Sequence, residues 1–281
     1  KDNAELEVEL EVIAEIQETL KITLSELITS NEYEQSFKMK NGINNFSFNI
    51  SLTNPQLWWP HGHGEQTLHH FFLTVETRGQ LEQKEKKFGI RDVTIKRAED
   101  ERGESFEICV NNMPIYSKGS NWIPADYFVE RLDIEDYKRL LNDAKRANMN
   151  TLRIWGGGIY EPDHFYELCD EMGIMVWQDF MFACSMYPAD DSFLESVDKE
   201  ARYQVNRLKS YASVILWCGN NEVASAWLSW GWKEDLPDSI WEDYRKLFHE
   251  LLPKVCSELD PQRLYWPSSP CHGTDQSNHD Q

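Results

Sequence analysis

The hydrophobic pattern of this chain changes period once, near residue 98, and that change limits what each half can fold into. Before it, apolar residues alternate with polar ones. Leu6, Val8, Leu10 and Val12 face one way while Glu5, Glu7, Glu9 and Glu11 face the other. A period of two marks a strand with one buried face, and the glutamates read as its solvated side. The pattern returns at Leu20, Ile22 and Leu24, at Phe46, Phe48, Ile50 and Leu52, and at Phe71, Leu73 and Val75. Asn41-Gly42 and Arg78-Gly79 supply turn chemistry between runs, and no amphipathic helix intervenes. Residues 1–97 are therefore expected to form an antiparallel β-sandwich with a scaffolding role.

From residue 98 to 281, short apolar runs alternate with helices. The expected strands are Ile115–Ser120, Thr151–Trp155, Ile174–Asp179, Val214–Cys218 and Arg263–Pro267. Between them, Asp133 caps a helix that turns Ile134, Tyr137, Leu140, Leu141 and Ala144 to one side. Further helices run from about Asp163 to Met172, through Val197, Ala201, Val205 and Leu208, and through Trp241, Tyr244, Phe248, Leu251 and Val255 to Asp260-Pro261. Such alternation gives an open doubly wound sheet or a closed barrel. Gly156-Gly157-Gly158 lacks the G-x-G-x-x-G spacing of a phosphate loop, and no P-loop lysine motif occurs. Polar and aromatic residues gather instead after successive strands: Asn121 and Trp122, Arg153 and Trp155, Gln178 and Asp179, then Asn220, Asn221 and Glu222. That is the rim where a (β/α)8 barrel places chemistry, so we expect the barrel, with five of its strands present.

Composition removes several classes. The 281 residues hold 28 Lys+Arg against 48 Asp+Glu, a formal charge of −20, which argues against nucleic acid and acidic membrane surfaces as partners. No apolar run approaches the roughly 20 residues of a membrane span. With 41% hydrophobic and 12% aromatic residues the chain can build cores. Cysteines at 109, 169, 184, 218, 256 and 271 form no C-x-x-C pair, and Cys169 shares a helical face with Phe165, Leu168 and Met172. His61 and His63 sit in a Gly-rich loop whose one nearby carboxylate is Glu65, with His69 and His70 beyond; this is read as a structural loop, and neither metal nor cofactor is expected. The triplets Asn45-Phe46-Ser47 and Asn49-Ile50-Ser51 fit glycosylation sequons, a pattern close to chance, so cytoplasmic, periplasmic and lysosomal locations all stay open. The chain opens at Lys1 with neither initiator Met nor signal peptide and is read as a piece of a longer protein.

Four positions carry the candidate chemistry. An apolar strand ending Trp217-Cys-Gly-Asn-Asn221 delivers Glu222 beside two amides, as a proton donor to a glycosidic oxygen would require. A helix-start glutamate favoured by the dipole is the competing explanation. Arg153 and Asp179 lie in or just after buried strands, where charge is costly unless paired. They read either as site residues or as an internal ion pair. Among Trp155, Trp177, Trp217 and Trp266, the indole at the strand end, Trp155, is the candidate platform for a sugar ring.

Leu152-Arg-Ile-Trp-Gly-Gly-Gly158, Trp177-Gln-Asp-Phe-Met-Phe-Ala-Cys184 and Trp217-Cys-Gly-Asn-Asn-Glu222 together resemble β-mannosidases of glycoside hydrolase family 2. Leu57-Trp-Trp-Pro-His-Gly-His-Gly64 and Phe88-Gly-Ile-Arg91 resemble that family's sandwich domain and its exit into the barrel. The resemblance spans nearly the whole chain. It implies an immunoglobulin-like β-sandwich over 1–97, followed by the N-terminal part of a TIM barrel over 98–281. It further implies a retaining exo-β-mannosidase acting on β-mannoside glycans. In that likeness Glu222 is the general acid/base, Asn221 holds the sugar 2-hydroxyl, Arg153 positions the nucleophile, and Trp155 and Asp179 line the terminal mannose subsite. The family's leading sugar-binding domain has no counterpart here, and its nucleophilic Glu falls beyond Gln281, so the chain is expected to need the missing C-terminal barrel segment for activity. A β-glucosidase or β-galactosidase, or a non-catalytic carbohydrate-binding or scaffold fragment, are the alternatives.

Overall fold

The computed structural model describes residues 3–27, 29–78, 80–101 and 103–271; Gly79 of the expected Arg78-Gly79 turn lies outside them. The chain separates into two compact units. One runs to Trp58 and adds Thr67–Ile90; the other takes Trp59–Gln66 and continues from Arg91.

The first unit has six strands: β1 (Asn3–Ala14), β2 (Thr19–Glu26), β3 (Glu32–Lys38), β4 (Gly42–Thr53), β5 (His69–Thr77) and β6 (Gln80–Phe88). They form two antiparallel sheets, β1-β4 and β3-β2-β5-β6. Alternation sets the pairing: Leu6 opposes Ile50, Val8 opposes Phe48 and Leu10 opposes Phe46, while Glu7 and Glu9 oppose Asn49 and Ser47 on the outer face. A one-residue slip would turn every apolar side chain outward. Side chains from both sheets meet inside, Leu20 and Ile22 with Leu10, Phe46 and Val75, and Leu24 and Phe71 with Ile50 and Leu52. This is a β-sandwich. β3 and β6 were not expected from sequence. Both are sheet-edge strands, and the lysines of Gln80–Phe88 suit an edge that must not pair further.

The second unit opens with β7 (Val93–Lys96), a short pair β8 (Glu99–Asp100) and β9 (Gly103–Glu104), then β10 (Glu107–Val110) and β11 (Met113–Pro114). β7, β10 and β11 form an antiparallel sheet. Because β7 pairs with β10, residues 91–97 group with this unit, and the division falls after Ile90 where the period change suggested Arg97. Five strands follow: β12 (Gly119–Trp122), β13 (Thr151–Ile154), β14 (Met175–Asp179), β15 (Val214–Cys218) and β16 (Leu264–Trp266). They lie side by side in chain order, all parallel. Between them run α1 (Ile134–Arg146), α2 (Asp163–Met172), α3 (Asp191–Leu208), and, after β15, α4 (Val223–Ser229), α5 (Trp232–Asp235), α6 (Asp238–Arg245) and α7 (Leu252–Leu259). The single helix expected from Trp241 to Val255 is α6 and α7 joined through a π-helical stretch, Lys246–Leu251. No helix in the described residues is long and apolar enough to cross a membrane.

The first parallel strand lies later than expected. Ile115 donates its backbone N–H to Ile108 in the preceding hairpin, and pairing with β13 starts only at Gly119. A Cβ on Gly119 would stand 1.7 Å from the Thr151 carbonyl oxygen, so this approach requires glycine. The α1 cap matches its sequence signal: Asp133 accepts from Glu135 and Asp136 N–H, and Asp136 reaches back.

Each parallel strand has two unlike faces. Leu152, Ile154, Val176, Val214 and Trp217 join Tyr137 and Leu141 of α1, Phe165 of α2, Val205 of α3 and Val255 of α7 in one buried cluster. The alternate residues, Arg153, Trp177 and Leu216, occupy adjoining register positions on the opposite face. Side-chain alternation along a strand thus assigns packing to one face and leaves the other for polar groups.

Candidate active site

Asp179 organises the polar face. Its side chain is fully buried and accepts from Arg153 Nε at 3.2 Å and Nη2 at 2.8 Å, a two-pronged ion pair. It also accepts from Gly156 N–H at 3.0 Å and Trp177 Nε1 at 3.1 Å. Burial pushes the Asp179 carboxyl above its usual range, against the pull of Arg153. Arg153 carries the network sideways, donating to Asn221 Oδ1 at 3.0 Å and Asn121 Oδ1 at 3.4 Å. The Asn221 amide then donates to Glu222 Oε2 at 3.2 Å and to Cys184 Sγ at 3.4 Å. Cys184 in turn donates to Glu222 Oε2 at 3.3 Å.

Backbone locks hold these groups after their strands. Asn221 bridges Ala183 on one side and Ser269 on the other. Asn220 is fully buried: its Oδ1 accepts from Val223 N–H and Ser268 Oγ, and its Nδ2 donates to the Pro267 carbonyl. Glu222, half-buried, caps α4 from a left-handed backbone at φ 64°, and Cys184 is left-handed at φ 48°. Non-glycine residues in this region are strained and persist where surrounding contacts fix them.

Four of the five residues singled out from sequence, Arg153, Asp179, Asn221 and Glu222, thus form one hydrogen-bonded chain. Trp155 follows β13 immediately before Gly156, whose N–H joins that chain, and its half-buried indole packs over Gly157, where a Cβ would fall 2.0 Å from the ring. The other tryptophans divide. Trp217 is buried under the helices and donates to Asp260, Trp177 donates to Asp179, and Trp266 packs beneath the Arg97 guanidinium. The histidines are dispersed: His61 binds Gly173 through its backbone N–H, His69 pairs with Glu26 and His70 with Glu85. Among the described residues no group of three or more His, Cys, Asp or Glu stands ready to hold a metal. Cys184 was not singled out from sequence. It closes the Trp177–Cys184 run, but no spacing rule links it to Glu222, because the bridge that joins them spans two separate loops.

A half-buried carboxyl beside an amide donor, at the mouth of a parallel sheet and next to a buried Arg–Asp pair, is an arrangement suited to proton transfer on a polar ligand. Residues 1–91 of the chain match the family model described as Glycosyl hydrolases family 2. Its relatives are more particular: it is similar to β-mannosidases. The goat (Capra hircus) β-mannosidase is 46% identical over 224 residues, covering 78% of this chain and 25% of that protein. β-Mannosidase B of Neosartorya fischeri is 38% identical over 239 residues, covering 82% and 28%. The crystal structure of β-D-mannosidase from Dictyoglomus thermophilum superposes with TM-score 0.91 at 43% identity, covering 98% of this chain and 34% of that one. An exo-chitosanase from Amycolatopsis orientalis, 21% identical with TM-score 0.75 and covering 96% of this chain and 30% of its own, shares the fold. The chain spans about a quarter of the length of the curated relatives it matches.

Proposed function

We propose that this chain is the acid/base-bearing part of a retaining exo-β-mannosidase, an immunoglobulin-like β-sandwich ahead of an incomplete (β/α)8 barrel. The observation that carries the reading is the continuous network from Asp179 through Arg153 and Asn221 to Glu222. It joins the ends of three successive parallel strands on the face away from the helices. Chain-ordered parallel strands with all major helices in one cluster support a barrel, since a doubly wound sheet would bury both faces.

In this mechanism Glu222 protonates the glycosidic oxygen as the bond breaks and later takes a proton from the attacking water. Asn221, held by Arg153, presents its amide to the sugar 2-hydroxyl. Asp179 and Trp155 line the terminal mannose subsite, the buried carboxylate holding the Arg153 guanidinium in place and the indole stacking on the C–H face. The nucleophile comes from outside these 281 residues. A retaining enzyme needs it about 5–5.5 Å from the acid, and Asp179 is committed to Arg153.

The test is hydrolysis of an aryl β-mannoside by the 281-residue chain and by a protein extended through three further barrel strands. Activity confined to the longer protein supports the reading. Turnover by the short chain that vanishes in Glu222→Gln would mean that a nucleophile lies within it.

A further inference from the structure

We propose that Cys184 is a positioning residue for Glu222: its S–H fixes Oε2 so that the acid/base carboxyl keeps one orientation. The inference rests on the reading of Glu222 given above and adds a residue which that reading does not use.

Three features of the site lead to it. First, the contact is made by two elements that reach the same point independently. Ala183 bridges Asn221, Cys184 N–H donates to the Asn221 carbonyl at 3.0 Å, and Asn221 N–H donates to the Phe182 carbonyl at 2.9 Å. The residue following each bridged partner is left-handed, Cys184 at φ 48° and Glu222 at φ 64°, which turns both side chains to one place. Second, a further lock holds the turn that carries Cys184, since Ala183 N–H donates to Tyr187 Oη at 2.8 Å and Tyr187 O–H donates back to the Ala183 carbonyl at 3.2 Å. Third, the thiol is held from both sides: Asn221 donates to Sγ while the S–H donates to Glu222.

The choice of donor matters chemically. A thiol is a weak donor, so it can orient a carboxylate without holding it as firmly in the charged form as a cationic partner would. An acid that must give up and regain a proton each cycle needs orientation of that kind. Burial, then the Glu222 hydrogen bond, push the Cys184 thiol up, which also keeps it protonated and donating.

Alkylation reads the pair directly in the chain as it stands. Iodoacetamide is applied at pH 8 and modification of the Cys184 peptide is followed by mass spectrometry, with buried Cys109, Cys169, Cys218 and Cys256 reporting the integrity of the fold. Glu222→Gln removes the charged acceptor and should speed Cys184 alkylation roughly three- to tenfold. Glu222→Asp, which withdraws the carboxylate by one methylene, should give a smaller acceleration and serves if the first variant exposes the buried thiols. Rates equal to wild type in a variant whose buried thiols stay protected would overturn the pairing. In the longer, active protein, Cys184→Ser should keep kcat within about threefold. Cys184→Gly relaxes the left-handed backbone but removes the donor, and should lose about tenfold in kcat at unchanged KM. Full activity of the glycine variant would overturn the positioning role. Alkylation needs no sugar, so the two readings can fail separately. Coupling without Glu222-dependent hydrolysis would overturn the acid/base reading, whereas hydrolysis without coupling would overturn the role of Cys184 alone.

Discussion

Arg153 shows how one side chain can serve stability and site geometry together. It is 17% exposed against a fully buried Asp179, so removing it strands a carboxylate in a dry environment. Breaking such a pair from one side costs about 3–5 kcal/mol. Arg153→Ala should lower unfolding stability by that order in urea titrations, and adding Asp179→Asn should recover part of the loss. Additive losses would show that the two side chains do not depend on one another. This pair was legible in the sequence because charges on otherwise apolar strands demand an explanation. The sequence left ion pair and site as rivals, and the geometry joins them, since the guanidinium that neutralises Asp179 also holds Asn221. Cys184 was invisible for the opposite reason: a lone thiol in a loop carries no periodic signal.

Among the elements, β15 is fixed most firmly, and it delivers Asn221 and Glu222. Arg91, half-buried, donates to the Ala212 and Val214 carbonyls; Arg263 donates to the Tyr211 and Val214 carbonyls. Asp170 accepts the Ala212 and Ser213 N–H groups. Burial raises the Asp170 carboxyl from an ordinary 3.8 to about 6, even with those donors present. In that window the folded chain binds more protons at Asp170 than the unfolded chain, so this residue's contribution falls as pH rises from about 4 to about 6. Denaturation midpoints across that range should show the decline, and Asp170→Asn should flatten it; an unchanged slope would remove Asp170 as its source. β13 to β15 were readable as short apolar runs buried between layers. β12 was misplaced because the apolar residue that marks it, Ile115, belongs to a hairpin, while its own Gly119–Trp122 was chosen by close approach rather than hydrophobicity. β3 and β6 escaped notice because edge strands carry charge where inner strands carry Val and Ile.

At the scale of the whole molecule, the chain separates into two compact units. We expect the sandwich to hold together as an independent unit, so limited proteolysis should cut first at the exposed residues 98–101 and 103–104 and spare residues 40–77. Early cleavage inside 40–77 would count against that autonomy. The remaining question is whether the network at the strand ends is the acid half of a glycosidase. The direct measurement compares Glu222→Gln with wild type in the longer protein, on β-mannosides whose leaving groups range from activated aryl to sugar. Protonation matters most where the departing oxygen is a weak leaving group, and positioned acid catalysis is worth about 10²–10⁴-fold. The account predicts a loss of that order on poor leaving groups and a far smaller one on activated aryl mannosides. Equal losses on both would contradict it.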